Sequence, residues 1–200
     1  MIARRPVTRR AALQATDMSM KKTHHAVVRL AGEADAQALA LLLTEPFMAV
    51  NGQDDDAKGG PFRDGQRRDD IPLQEIRSRQ IDTVVAECGE GLQGFLQLRW
   101  GERAPASGWM RGSVELRRHY VRARHRGAGV AGCLLERAVD IARAGDAVCI
   151  WLKVRKDSPQ AVRFYQKHGF RLAGTAMFRD GVRLRETWVM HRVVSQRPAT

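Results

Sequence analysis

The spacing of apolar residues changes several times along the chain, and each change predicts the boundary of a helix or a strand. Runs of apolar and β-branched residues predict strands, whereas apolar residues that recur every three to four positions predict helices. On this basis we expect strands at residues 26–30, 82–87, 92–100, 114–121, 147–154, 171–178 and 183–193. We expect helices at residues 33–43, 73–79, 129–143 and 158–168.

The order of these elements favours one domain built on a mixed sheet. Strands and helices alternate in the middle of the chain, and hairpins stand at both ends, the first with its turn at Cys88–Gly91. Such an order is typical of an α/β (α+β) fold in which helices cover the sheet. Residues 51–70 are rich in Gly and Asp, contain Pro61, and predict a long loop. We expect a single domain over residues 25–195.

Residues 1–24 are a basic N-terminal extension that we expect to be disordered and without a specific function. Asp17 is the one acidic residue among them, and they contain no apolar run typical of a secretory signal. An organellar transit peptide has a similar composition. Met18 and Met20 offer a simpler account, in which translation starts at one of them.

Basic residues exceed acidic ones along the chain. The 200 residues include 34 Lys and Arg against 22 Asp and Glu, which gives a formal net charge of +12. This charge suggests an anionic partner, although a general preference for arginine explains it as well. The apolar runs fall far short of the roughly 18 residues of a membrane span, so we expect no membrane association. Cys88, Cys133 and Cys149 lack metal-ligand spacing, and we expect buried thiols and no metal.

The most specific signal is a glycine-bearing segment between a predicted strand and a predicted helix, Arg126-Gly127-Ala128-Gly129-Val130-Ala131. A loop in this place exposes backbone N–H groups beside the positive end of the helix dipole, which favours a phosphate-bearing ligand. The segment lacks the Gly-Lys-Ser/Thr ending of a nucleotide P-loop and the three-glycine dinucleotide fingerprint. We therefore expect an anionic ligand, held by a loop of a different type from these two.

This loop resembles the acetyl-CoA loop of the GNAT superfamily of N-acetyltransferases. The superfamily pattern Gln/Arg-x-x-Gly-x-Gly/Ala matches residues 126–131, and the Leu-Leu pair that follows it is present as Leu134-Leu135. A second pattern, Asn-x-x-Ala-x-x-Phe/Leu-Tyr-x-x-x-Gly-Phe, matches residues 158–170 except that Ser158 replaces the leading Asn. Together with the order of elements, the match covers most of residues 26–193.

The resemblance implies a twisted, mostly antiparallel sheet of about seven strands, with helices on both faces and a splayed parallel pair at the centre. Acetyl-CoA, the implied co-substrate, would lie between the splayed strands with its pyrophosphate at the loop. The cofactor-binding residues implied are Tyr120, Val121, Arg122, Ala123, Arg126, Gly127, Ala128, Gly129, Val130, Ala131 and Ser158. Ser158 has a second interpretation, because Ser before Pro159 is also typical of a helix N-cap.

The resemblance also implies a general acid. Tyr165 matches the family tyrosine often assigned to protonate the departing thiolate. Its alternative role is aromatic packing, and we expect Phe164 beside it to belong to the core.

The implied general base is Glu115, which stands eleven residues before Arg126, as the catalytic glutamate of histone-type members does. Its alternatives are a surface carboxylate or an ion pair with Arg117 or Arg118. His119 would share a strand face with Glu115 if the strand is regular, and it is a competing base, as is ordered water.

We therefore expect a cytoplasmic, acetyl-CoA-dependent N-acetyltransferase that moves an acetyl group directly to a primary amine of a small molecule or a protein. A loose similarity to bacterial diamine and spermidine acetyltransferases, over residues 92–98, 115–121 and 188–190, suggests a polyamine as one acceptor. The alternatives are a catalytically weak CoA-binding module and a basic nucleic-acid-associated protein, although we expect no nucleic-acid partner. We expect a monomer or a homodimer.

Overall fold

The computed structural model describes residues 26–44, 70–101, 104, 112–180 and 183–195. These ranges contain seven strands: β1 (Val27–Leu30), β2 (Ile81–Cys88), β3 (Gly91–Trp100), β4 (Val114–Val121), β5 (Cys149–Arg155), β6 (Arg171–Asp180) and β7 (Arg183–Val193). The same ranges contain four α-helices: α1 (Ala36–Thr44), α2 (Asp70–Arg77), α3 (Val130–Ala144) and α4 (Pro159–Lys167).

The strands form one sheet in the order β1-β2-β3-β4-β5-β7-β6. All neighbouring strands are antiparallel except β4 and β5, which run parallel at the centre. Helix α3 makes the crossover that a parallel pair requires. The structure thus confirms the predicted mixed, mostly antiparallel sheet with a central parallel pair.

The two parallel strands are paired over a short length and then separate. Val114 pairs with Ile150 and Glu115 with Trp151, and the register between these two described strands contains no further pair. Beyond these pairs, β4 continues to Val121 and β5 continues alongside β7. A gap therefore opens between β4 and β5 toward their carboxyl ends.

A β-bulge in β4 changes the face on which its later side chains lie. Consecutive residues of β3 pair with Leu116 and Arg118, so Arg117 is an extra residue in the register. An extra residue reverses the alternation of side chains between the two faces of a sheet. Leu116 and Val121 consequently lie in the same apolar core, although an odd number of positions separates them.

Helices cover both faces of the sheet. On one face α3 and α4 bury the larger apolar cluster, in which each fully buried aliphatic side chain contributes about 1.5 to 3 kcal/mol. On the other face α1 and α2 cover a smaller cluster. Its buried members are Ala31, Ala36, Leu39, Leu42, Ile76, Val85, Leu92, Phe95 and Tyr120. The predicted helices on both faces are confirmed.

Gly94 of β3 pairs with Val121 at the carboxyl end of β4. A Cβ atom added at Gly94 would collide with the carbonyl oxygen of Tyr120 and would lie 3.1 Å from the Cα atom of Val121. Glycine fits this close approach because it has no side chain. The carboxyl end of β4, which leads into the glycine-bearing loop, is thereby held against β3.

The predicted boundaries agree with the structure except near element ends. The predicted helix at 33–43 begins as a 3-10 helix, Glu33–Asp35, before α1, and the helix predicted to start at residue 73 begins at Asp70. β5 begins at Cys149 rather than at residue 147. The N-terminal extension and residues 51–69 of the predicted loop lie outside the described residues. Within the described part of the chain, no helix has both the length and the apolarity needed to cross a membrane.

Candidate active site

The glycine-bearing loop forms a tight turn between β4 and α3. Gly127 and Gly129 have φ values of 78° and 83°, in the left-handed region that favours glycine. Gly129 occupies the N-cap position of α3, and no side chain caps the helix there. The turn is exposed from Arg126 to Gly129. The N-terminal amides of α3 therefore face an accessible loop, which suits an anionic ligand.

Beside this loop, the structure brings together a histidine of β4 and a tyrosine of α4. The Nδ1 atom of His119 lies 3.2 Å from the hydroxyl oxygen of Tyr165. Both side chains are fully buried. Because β4 is unpaired with β5 at His119, this contact lies alongside the gap between the two strands.

Burial perturbs both groups of this pair in opposite directions. Removal from water lowers the pKa of His119 to about 3, an effect that the nearby backbone of Ala131 partly opposes and His168 reinforces. Removal from water also raises the pKa of the Tyr165 phenol well above its ordinary value. At neutral pH the imidazole is therefore uncharged and a weak base, and the phenol keeps its proton.

The second sequence motif builds the surroundings of Tyr165. Gly169, with a φ of 80°, turns the chain after α4 and lets the Phe170 amide donate to the Tyr165 carbonyl oxygen at 3.0 Å. The Phe170 ring then packs against the Tyr165 ring with centroids 5.4 Å apart. On the other side lies Phe164, 5.2 Å from Tyr165 and 5.7 Å from His119 between ring centroids. These aromatic contacts fix the plane of the phenol.

Glu115 lies on the opposite face of β4 from the His119–Tyr165 pair. The bulge at Arg117 separates Glu115 from His119, so the shared face expected for a regular strand does not occur. Arg99 of β3 donates to Glu115 Oε2 from Nε at 2.8 Å, and its Nη2 atom lies 2.6 Å from the same oxygen. The ion pair of Glu115 is thus made with Arg99, not with Arg117 or Arg118.

A model of the Acetyltransferase (GNAT) family matches residues 49–170, which include the loop, β4 and α4. The chain belongs to the GNAT family. An uncharacterized N-acetyltransferase of Mycobacterium tuberculosis is 35% identical over 79 residues, which are 40% of this chain and 51% of that protein. The chain thus spans about half the length of the curated relatives it matches.

Two solved structures illustrate the likeness of fold. A Salmonella typhimurium protein, solved with its cofactor acetyl-CoA, has 18% identity and a TM-score of 0.65, with 88% of this chain and 98% of that chain covered. A spermidine N-acetyltransferase chimera from Vibrio cholerae and hSSAT has 19% identity and a TM-score of 0.62, with 85% and 96% covered. At these identities the likeness shows the GNAT fold alone.

The other residues predicted to bind the GNAT co-substrate lie at the end of β4, directly after it, or directly before α4. Tyr120 and Val121 are buried on opposite faces of β4, and Arg122 donates its backbone N–H to the Gln93 carbonyl oxygen at 2.8 Å. Ser158 stands at the N-cap position of α4, but its side chain makes no capping hydrogen bond. Ser158 is therefore the N-cap residue of α4, as its place before Pro159 predicts, but its hydroxyl group does not form the hydrogen bond of a cap. Contact between Ser158 and the cofactor stays a prediction.

One polar cluster between α2 and the strands β3 and β4 was not predicted from the sequence. The carboxylate of Glu75 on α2 accepts hydrogen bonds from Arg117, Arg118 and Gln97, at 2.7 to 2.9 Å. Thr83 accepts a further bond from Gln97 at 3.1 Å. The cluster ties α2 to the bulge of β4. The adjacent arginines of the sequence are its one local signal, and their partner lies some forty residues away.

We expect Gly129→Ala to raise the dissociation constant of acetyl-CoA about tenfold or more. A left-handed φ costs a non-glycine residue about 1 to 2 kcal/mol, and the added methyl group would stand where the phosphates approach the amides. Gly101→Ala is the matched control, since Gly101 has a φ of 86° and open space around it but lies outside the site. Calorimetric titration with acetyl-CoA and thermal unfolding of both variants check this. Equal affinities in the two variants would contradict a role of the loop in binding.

Proposed function

We propose that the protein transfers the acetyl group of acetyl-CoA directly to a primary amine, either of a small molecule such as a polyamine or of a protein. The observation that carries this proposal is the convergence of three elements on His119. This residue lies on the unpaired part of β4, its Nδ1 atom is 3.2 Å from Tyr165 of α4, and its ring lies near the backbone of Ala131 in α3. The exposed loop, the gap and a phenol therefore stand side by side.

The reaction needs one proton donor and one proton acceptor. The neutral amine nitrogen attacks the thioester carbonyl carbon, a C–N bond forms, and the C–S bond breaks with its electron pair leaving on sulfur. Tyr165 supplies the proton that the sulfur takes up, and the nitrogen gives up one proton of its own. The products are the N-acetylated amine and coenzyme A.

Glu115 is our proposed acceptor of the nitrogen proton, directly or through water. A thioester held in the gap of a sheet would be reachable from both faces, so the acid and the base need not touch each other. Glu115 lies at the last paired rung of β4 and β5 and therefore at the closed end of the gap, on the face opposite Tyr165. Both contacts with Arg99 fall on Oε2. Ordered water alone is the alternative base.

The proposed environment is the cytoplasm, where acetyl-CoA and free thiols coexist. Cys88, Cys133 and Cys149 are free thiols, and burial raises the pKa of Cys149 to about 11, which keeps that thiol protonated and unreactive. Of the three, Cys149 is buried as predicted, whereas the other two are half-buried.

Two measurements on the full chain test the proposed function. Calorimetry with acetyl-CoA should show binding, and thiol release should appear with at least one member of a panel of polyamines, aminoglycosides and amine-bearing peptides. Binding without thiol release from any amine would favour the CoA-binding module. If no binding occurs and retention on DNA falls steeply with salt, even after deletion of residues 1–24, the nucleic-acid alternative replaces the enzyme.

A further inference from the structure

Burying His119 beside Tyr165 costs the fold more stability than burying an apolar side chain at the same place would. His119 is fully buried, and its Nε2 atom makes no hydrogen bond of ordinary length and angle among the described residues, although the ring lies near the backbone of Ala131. A buried polar nitrogen without a well-formed hydrogen bond destabilises a fold, whereas an apolar side chain of similar size would pack here without that penalty. The imidazole also offers its second nitrogen, Nδ1, to the one polar atom of Tyr165. This geometry suits a role in chemistry better than a role in stability.

The neutral imidazole has one N–H donor and one bare acceptor nitrogen, and the position of the proton decides what Tyr165 can do. With the proton on Nε2, the bare Nδ1 atom would accept the phenol proton and hold it away from the gap. With the proton on Nδ1, His119 donates to the phenol oxygen instead. The phenol proton is then directed elsewhere, and the oxygen is ready to bear a negative charge.

We propose that His119 is a positioning residue, whose Nδ1–H group donates to the Tyr165 hydroxyl oxygen and so presents the phenol proton to the sulfur of the departing thiolate. The inference rests on the proposed function. In this step the phenol O–H bond breaks, an S–H bond forms, and the electron pair stays on the phenol oxygen, where the hydrogen bond from Nδ1 stabilises it. The proton released by the amine nitrogen restores the phenol through solvent, so the cycle balances.

Three variants test this role in the intact protein. His119→Leu removes both ring nitrogens at similar volume, and we expect kcat to fall about tenfold, the effect of one lost hydrogen bond, with KM for acetyl-CoA changed less than about twofold. His119→Asn places an amide near the position of Nδ1, and we expect it to recover most of the lost rate. His191→Asn is the matched control on β7, away from the pair, and should leave kcat unchanged.

A double variant separates positioning from a general structural role. If His119 acts through Tyr165, the double variant with His119→Leu and Tyr165→Phe should have a kcat within about twofold of that of Tyr165→Phe alone. Additive losses, or a full rate in His119→Leu, would overturn the inference. Thermal unfolding of each variant identifies any that fail to fold.

A spectroscopic measurement on the unmodified protein keeps the test independent of activity. The nitrogen chemical shifts of the His119 ring distinguish a protonated from a bare nitrogen. Protonated Nδ1 and bare Nε2 are expected near neutral pH, and the reverse pattern would overturn the inference.

A wild-type protein that transfers acetyl groups while His119→Leu is fully active refutes the role of His119 alone. A wild-type protein that transfers none refutes the proposed function instead.

Discussion

Tyr165→Phe should slow acetyl transfer at least about a hundredfold and leave the affinity for acetyl-CoA nearly unchanged. The substitution removes the hydroxyl group that contacts His119 Nδ1 at 3.2 Å and leaves the aromatic packing against Phe164 and Phe170 in place. Without that proton donor, the thiolate must leave unprotonated or take its proton from water. Binding depends on the loop and the gap, which the substitution does not touch. Steady-state kinetics and calorimetry with acetyl-CoA measure the two quantities separately.

The matched control is Tyr120→Phe, which removes the hydroxyl of the other tyrosine in the chain and leaves intact the backbone of this predicted cofactor-binding residue. Tyr120 faces the smaller core on the opposite side of β4, where its ring packs 5.0 Å from that of Phe95. We expect a much smaller change in kcat for this variant. Equal losses in the two variants would show that hydroxyl removal disturbs the fold in general, and full activity of Tyr165→Phe would exclude Tyr165 from proton transfer.

The elements that position the site were predictable because their signals are local. The bounds of β4 and β7 agree with the predicted segments, and α3 begins one residue after its predicted start, at Val130. Apolar periodicity depends on neighbouring residues alone, and the left-handed glycines of the loop occur where the turn requires them. The two GNAT motifs placed Tyr165 on the helix that faces β4.

The face on which Glu115 lies was not predictable in the same way. Regular alternation along β4 would place Glu115 and His119 on one face, because four positions separate them. Arg117 is an extra residue only in relation to β3, because Leu98 pairs with Leu116 and the preceding residue of β3 pairs with Arg118. Strand register depends on residues distant in sequence, and the apolar pattern of β4 by itself contains no sign of it. The structure therefore separates the two candidate bases onto opposite faces.

Ion-pair partners were missed for a related reason. Glu115 pairs with Arg99, sixteen positions away on β3, whereas sequence proximity suggested its neighbours Arg117 and Arg118. Those two arginines meet Glu75 of α2 instead. Where charged residues are close in sequence on a strand, the sheet and the covering helix decide which of them meet.

Glu75→Ala should lower the free energy of unfolding by about 3 to 5 kcal/mol, because it leaves the buried guanidinium of Arg118 without its carboxylate. The side chains of Glu75 and Arg118 are 11% and 7% exposed, so water cannot replace the lost contacts at little cost. Arg117 loses its contact with the same carboxylate. Urea unfolding of the variant and the parent measures the difference.

Glu33→Ala is the matched control. Glu33 pairs with Arg77, which lies on α2 as Glu75 does, but the side chains of Glu33 and Arg77 are both more than half exposed. A surface pair of this kind contributes about 1 kcal/mol or less. Losses of equal size in the two variants would show that the cluster around Glu75 is no more than a surface ion pair. A specific loss at Glu75 should also reduce turnover, since the cluster holds the bulge of β4, and the bulge determines that His119 faces Tyr165.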